Sequence, residues 1–290
     1  MNFLIKKCIA VLGGTGMAGH VIVKYLEEKY NVHFMSLSSK NTEKSKSIDV
    51  TDLKTLTEWL DKIKPNVIIN CIGLLQKESE ARPDLAILIN SHLPHFLEYK
   101  YLNTDTKIIH LSTDCVFSGK KGGYLEDNLP DGDTIYDRTK ALGEINNNKD
   151  LTFRMSIIGP DCNKLGTGLF NWFMKQTGII KGYSKAIWNG ITTIELASAI
   201  NKAIEQDLKG LYHLVPDESI DKYQLLLLFK EIFNKQEIKI ELFNDFIIDK
   251  TLINTRQDFN FKVNPYKTQI INMKYWIDKN KYLYEHYLYE

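Results

Sequence analysis

Two residue patterns in this sequence can do chemistry. Tyr136-Asp137-Arg138-Thr139-Lys140 sets a phenol and an amine four residues apart, a spacing that brings both to one face of a helix. A cation beside a phenol favours phenolate and lowers its pKa from about 10. A tyrosine so placed can pass a proton to or from a carbonyl or hydroxyl oxygen. The same spacing recurs at Tyr25 and Lys29 and at Tyr275 and Lys279. Only Tyr136 follows an apolar run ending in hydroxyls, Ser112-Thr113, where Thr113 can bond the oxygen that Tyr136 protonates. The second pattern is Gly13-Gly14-Thr15-Gly16-Met17-Ala18-Gly19, in which Gly13, Gly16 and Gly19 are spaced GxxGxxG. Glycine permits a tight turn and lets backbone N–H groups approach a pyrophosphate. A helix N-terminus behind such a turn adds partial positive charge.

Positioning these groups requires strands that end beneath them. Cys8 to Leu12 is an apolar run ending at the glycines, and helical spacing follows through Val21, Ile22, Tyr25 and Leu26. Val32–Leu37, Val67–Ile69, Lys107–Leu111 and Leu151–Met155 are further strand candidates. Between them, helices are predicted from Leu53 to Ile63 with Thr51 or Asp52 as cap, from Pro83 to about Tyr101, and from Ile135 to Ile145. A glycine-rich loop spans Ser118 to Gly132. Strand–helix alternation with short connections implies parallel strands under helical crossovers. The fold class expected is α/β: a doubly wound parallel sheet over residues 1–155, then a smaller α/β substrate-binding region over 156–290. Segments near 186–215 are expected to pack back on the first unit, with helices at Ile194–Ile204 and Lys222–Phe233 and a strand at Gly210–Val215.

Carboxylates at the end of the second strand bind an adenosine ribose and disfavour a 2′-phosphate. Here that strand runs into Ser38-Ser39-Lys40 with no acid, so NADPH is favoured over NADH, with NADH left open. The alternative for Lys40, Lys44 and Lys46 is a solvated loop.

Composition narrows the partners. The chain has 290 residues, 43% hydrophobic and 25% charged, with 37 basic against 36 acidic residues and a net charge of +1. That is the mix of a soluble globular protein, without the basic footprint of a nucleic-acid binder. No stretch approaches the roughly 18 apolar residues of a membrane helix. Four cysteines (Cys8, Cys71, Cys115 and Cys162) lie far apart, which speaks for a cytoplasmic, reducing setting. No metal site is expected: His92 and His95 are three apart, but no third ligand joins them.

The motifs GGTGMAG, IDVTD, NCIG, LSTDCVFSG and YDRTKALGE, in this order, resemble the extended short-chain dehydrogenases/reductases. Within them, Ser112-Thr113-Asp114, Val116-Phe117 and Gly119 most resemble the dTDP-4-dehydrorhamnose reductases and related nucleotide-sugar 4-ketoreductases. The resemblance covers about residues 7 to 160 well and fades beyond about 215. It implies a catalytic triad of Thr113, Tyr136 and Lys140, with Tyr136 protonating a keto oxygen. It implies a cofactor set of Gly13, Thr15, Gly16, Met17, Gly19, Ser38, Ser39, Lys40, Asp49, Val50, Cys71 and Gly73 together with Tyr136 and Lys140. Asp49 would contact adenine, Asn70 and Gly73 would pass the adenosine half, and Asn90 would support the wall. Asp114 and Phe117 would border a nucleotide-sugar substrate. By position, Trp172, Trp188 and Asn189 join them, and Phe170 could stack as well.

The sequence departs from that family at Cys115, where a tyrosine is usual, and at Asp137, where a small residue is usual. Arg154 can pair with a phosphate or with a structural carboxylate. Thr113-Asp114-Cys115 lacks the glutamate that dehydratases place after Asp, which weighs against dehydration. An epimerase/reductase and a non-catalytic NADP-binding regulatory subunit are the alternatives. The aromatic tail Tyr282–Tyr289 is expected to fold back on its own chain, with a homodimer contact as the second reading.

Overall fold

The computed structural model describes residues 6–287. In chain order the elements are β1 (Cys8–Leu12), α1 (Gly19–Leu26), β2 (Asn31–Ser36), β3 (Ser45–Ser47), α2 (Leu53–Ile63) and β4 (Val67–Asn70). Next come α3 (Gln76–Ala81), α4 (Pro83–Ala86), a π-helical turn at Ile87–His92, α5 (Leu93–Lys100), β5 (Lys107–Leu111), α6 (Ile135–Leu142), β6 (Leu151–Arg154) and β7 (Ile157–Ile158). The remainder holds α7 (Leu169–Met174), β8 (Gly178–Tyr183), β9 (Ala186–Trp188), β10 (Ile191–Thr192), α8 (Thr193–Gln206) and β11 (Gly210–His213). It ends with β12 (Ile220–Asp221), α9 (Lys222–Ile232), β13 (Ile238–Phe243), β14 (Ile248–Asp249) and α10 (Tyr266–Lys279).

A seven-stranded sheet in the order β11-β6-β5-β4-β1-β2-β3 forms the centre, and all its pairings are parallel. Alternation along β1 explains the layers. Ile9 and Val11 enter one core with α1 and α8, while Ala10 and Leu12 enter another with α2 and α5. A strand buried on both faces must be apolar throughout, as β1 is. Each such side chain adds roughly 1.5–3 kcal/mol on burial. The chain winds outward from β1 in both directions, so a crevice opens at the carboxyl ends of β1 and β4, where such sheets bind ligands.

The doubly wound sheet matches the expected class. β11 and α8 come from the later part of the chain and complete the first unit's edge and core. A second core gathers α7, α9 and α10 with Trp188 and Ile180. There, β9 sits between β12 and β14, and β8 pairs with β13. Three differences from the sequence reading have local causes. The helix predicted from Pro83 is interrupted by the π-helical turn, against which Gly143 packs so closely that a Cβ would lie 1.9 Å from Asn90 O. α6 stops at Leu142, with Gly143 as its C-cap. β3 is a three-residue edge strand of polar residues, which carries no hydrophobic alternation to read.

Asp52 caps α2 by accepting from Thr55 N at 3.1 Å. The tail residues within the described range fold back: Tyr284 is fully buried, and Leu288 and Tyr289 lie outside the described residues. Trp276 Nε1 donates to Tyr284 Oη (2.9 Å), which donates to His20 Nε2 (2.7 Å), and His20 Nδ1 donates to Gly16 O (2.9 Å). The tail thus braces the glycine turn. Tyr284→Phe leaves two buried ring nitrogens short of a partner, and a loss of about 1–3 kcal/mol is expected in urea unfolding. A change under about 0.5 kcal/mol would deny the brace.

Candidate active site

The glycine turn follows β1 directly. Gly13 has φ +82°, a left-handed conformation that glycine adopts without strain. At Gly19 a Cβ would lie 2.1 Å from Gly13 O, so only glycine lets the helix start close so tightly. Gly16, by contrast, is exposed, with only Gly13 O within reach of a Cβ, at 3.5 Å. This open side is where a pyrophosphate can come close to backbone.

At the end of β2 the turn meets a cluster of hydroxyls. Thr15 Oγ1 lies 2.7 Å from Ser36 Oγ and 2.9 Å from Ser38 Oγ, and Ser36 Oγ lies 2.8 Å from Ser39 Oγ. Lys40 is exposed beside them. Ser36 belongs to this cluster but was not singled out, because its place inside a strand gave no signal. Asp49 is exposed and its Oδ1 accepts from Thr51 N and Oγ1 at 2.9 and 2.8 Å, as a turn before α2. Val50 packs in the α2 core. Cys71 and Gly73 follow β4 on the crevice's other wall. Asn90 holds that wall by pairing with both Leu74 N and Leu74 O and with Thr139 Oγ1.

β5 carries the second group. Ser112 N and Asp114 N continue its pairing by donating to Phe153 O and Met155 O. Thr113 Oγ1 accepts from Cys115 N at 3.1 Å and caps the turn that follows. The Thr113 hydroxyl lies beside the Tyr136 phenol and favours its phenolate. Thr134 and Asp137 close a capping box at the start of α6, so the unusual Asp137 anchors the helix that presents Tyr136. Burial raises the Tyr136 phenol above its ordinary value, reinforced by Cys115, Asp114 and Asp137 and opposed by Thr113. It is therefore a protonated donor at neutral pH. Lys140 Nζ donates to Leu111 O at 2.7 Å and lies 3.4 Å from His110 Nε2. Burial brings Lys140 down to about 8, against Glu144 and Cys71, which favour its charge. Of the other tyrosine–lysine pairs, Tyr25 packs on the α1 core and Tyr275 is 69% exposed on α10.

Asp114 is buried and raised by that burial, with Lys250 and Lys222 opposing. Lys222, the first residue of α9, stands over the Trp188 ring at 4.6 Å and is brought down to about 8 by burial. More than a hundred residues separate Lys222 and Lys250 from Asp114, so nothing local announced them. Burial pushes the Cys115 thiol up to about 12, which makes it a packing group. Beside Lys222 opens a cavity of about 570 Å³ lined by Trp172, Lys181, Tyr183, Leu226 and Phe246.

Several predicted residues lie elsewhere. Phe117 is fully buried, stacked on Tyr124 at 4.1 Å with Arg154 over it at 4.9 Å. It supports the 118–132 loop from inside and does not border the cavity. Asn189 is buried and clamps Leu252, donating to its O at 2.7 Å and accepting from its N at 3.0 Å, so its amide holds backbone. Trp188 is 4% exposed and packs on Tyr266, and Phe170 is core. Trp172 alone of these aromatics is open, at 41%. Arg154 pairs with the carboxylate of Glu144. His95 bridges Glu98 and Leu142 O, and the described residues hold no group of three potential metal ligands. No described helix is long and apolar enough to cross a membrane.

Fold and site together define a doubly wound α/β protein with a glycine turn at its switch point and a threonine–tyrosine–lysine group at the end of β5. A family profile described as the RmlD substrate binding domain matches residues 7–245, and the chain belongs to that family. Methionine adenosyltransferase 2 subunit beta of Xenopus laevis is 25% identical over 239 residues, 77% of this chain and 71% of that protein. A hypothetical dTDP-4-dehydrorhamnose reductase from Sulfolobus tokodaii superposes with a TM-score of 0.73 at 25% identity, over 89% of this chain and 97% of that one. The dTDP-4-dehydrorhamnose reductase of Bacillus anthracis, solved in complex with NADP, gives a TM-score of 0.80 at 19% identity, over 93% and 99%.

Proposed function

We propose that this protein is an oxidoreductase that uses NADPH to reduce the 4-keto group of a UDP- or dTDP-linked 4-keto-6-deoxy sugar for surface glycan assembly. The observation that carries this reading is the protonated Tyr136 phenol beside Thr113 at the carboxyl end of β5, with Lys140 one turn further along α6. The reductases among the similar structures support it.

Gly13, Gly16, Gly19, Thr15 and Met17 would hold the pyrophosphate. The acid-free hydroxyl cluster with Lys40 suits a 2′-phosphate. Asp49, Val50, Cys71 and Gly73 would line the adenosine half. When bound, NADPH supplies the hydride. Tyr136 then gives its proton to the developing alkoxide, Thr113 holds the same oxygen, and the Lys140 charge stabilises the phenolate left behind. Trp172, Tyr183 and Phe246 offer faces for a base, and Lys181 and Lys222 offer charge for a diphosphate. Four free thiols accord with a cytoplasmic setting.

Gly19→Ala is expected to weaken NADPH binding about tenfold or more, about 1.4 kcal/mol, in calorimetric titration. Unchanged affinity would remove the turn from the cofactor site. The reading itself is tested by loss of NADPH absorbance with a panel of UDP- and dTDP-4-keto-6-deoxy sugars. Oxidation with one sugar supports it. Tight NADPH binding without oxidation across the panel would favour a second reading, a non-catalytic NADP-binding regulatory subunit. The match to an adenosyltransferase subunit over 77% of this chain supports that alternative.

A further inference from the structure

Asn70 ends β4 and lies in register with His110, the last residue but one of β5, and both are fully buried. The proton transfer described above uses neither. Their hydrogen bonds have a definite polarity. Ile72 N–H donates to Asn70 Oδ1 at 3.1 Å, which turns the amide Nδ2 toward His110 Nδ1 at 3.2 Å. An amide nitrogen only donates, so Nδ1 accepts, and the proton of the neutral imidazole sits on Nε2. Burial, with Lys140 and His95 adding positive charge, holds His110 far below its usual value and so neutral. Its Nε2 faces Lys140 Nζ at 3.4 Å. An ammonium has no lone pair for that N–H. An uncharged amine accepts it while still donating to Leu111 O.

We propose that His110 is a positioning residue for Lys140: held by Asn70, it aims an N–H at Nζ and favours the uncharged amine. This rests on the reductase reading and adds a proton source to it. Tyr136 is a phenolate once it has protonated the sugar oxygen. A Lys140 N–H bond breaks, the phenol O–H forms again, and the amine left behind is the form that His110 accommodates. Solvent returns the proton below pH 8 or so. A lysine with an ordinary value of about 10.4 would give its proton up less readily. The other charged or titratable groups facing Nζ are Glu144 just after α6 and Cys71 after β4, and both favour the ammonium.

Lys222 also titrates near 8, so the test reads Lys140 directly. The full chain is labelled with ¹³C at the lysine ε-carbons, and the Lys140 signal, assigned by its loss in Lys140→Met, is followed against pH. A midpoint of about 8 is expected. His110→Phe keeps a ring and removes the N–H, and should raise the midpoint by ~1 unit. Asn70→Asp, which keeps the size of the side chain, makes Nδ1 the donor and Nε2 the acceptor, and should raise it further. In the double variant H110F/N70D only the carboxylate charge remains, so the rise caused by Asn70→Asp should shrink. An unmoved midpoint in His110→Phe, or an Asn70→Asp shift of equal size with and without His110, overturns the proposal. The readout needs neither sugar nor turnover. A protein that fails the sugar panel but shows these shifts loses only the reductase reading, and an active enzyme with unmoved midpoints loses only this inference.

Discussion

Tyr136→Phe is expected to lower kcat for NADPH oxidation by about 10²–10⁴-fold, with NADPH affinity near that of the unaltered protein. The phenol is the proton donor to the keto oxygen, and phenylalanine has the same ring without the proton. The fold should not suffer, because Tyr136 is only half-buried and its neighbour Thr113 keeps its bonds to Cys115 N and Asp114. Initial rates and calorimetric titration on the same preparation separate chemistry from binding. A variant that keeps more than a tenth of its activity would remove Tyr136 from the reaction. The pH dependence has a stated sign. Burial raises Tyr136, so it stays protonated through neutral pH. Lys140 is lowered to about 8, so its charge is present below that pH and lost as pH rises through it. The rate of reduction should therefore fall above about pH 8, and a rate that climbs there would contradict the roles given to the pair.

Glu144→Ala should cost the fold roughly 3–5 kcal/mol, since removing one member of a buried ion pair strands the other. Glu144 Oε1 and Oε2 accept from Arg154 Nε and Nη2 at 2.8 and 2.6 Å, and both side chains are less than a tenth exposed. Arg154 would keep the Phe117 ring, His213 Nε2 at 3.0 Å and the weaker Glu126 O, none of them a counter-charge in contact. The same carboxylate accepts from Ser112 Oγ at 2.6 Å, so its loss also loosens the residue before Thr113. Denaturant unfolding reads the effect. Replacing both partners, as in E144M/R154M, should recover much of the loss, because the charge and its desolvation go together. A single-variant cost under about 1 kcal/mol would mean that the pair does not hold the end of β6 against the segment that follows α6.

Residues that act within a few positions of one another were legible directly. β1 and β5 have the bounds their apolar runs predicted, because a strand buried on both faces is mostly apolar, although β5 also buries Lys107 and His110. The glycine turn follows from Gly13, Gly16 and Gly19, since φ and close approach are local demands. Tyr136 and Lys140 share a helix for the same reason. Tertiary structure decided what depends on burial and on partners remote in the chain. It placed Lys222 and Lys250 by Asp114, joined Asn70 and His110 to Lys140, and gave Arg154 to Glu144 rather than to a ligand. It also turned Phe117 and Asn189 inward while leaving Trp172 open. Side-chain type alone does not separate those outcomes. An aromatic ring serves a core and a ligand equally well, and a buried charge takes whichever partner the packing of distant strands and helices brings within reach.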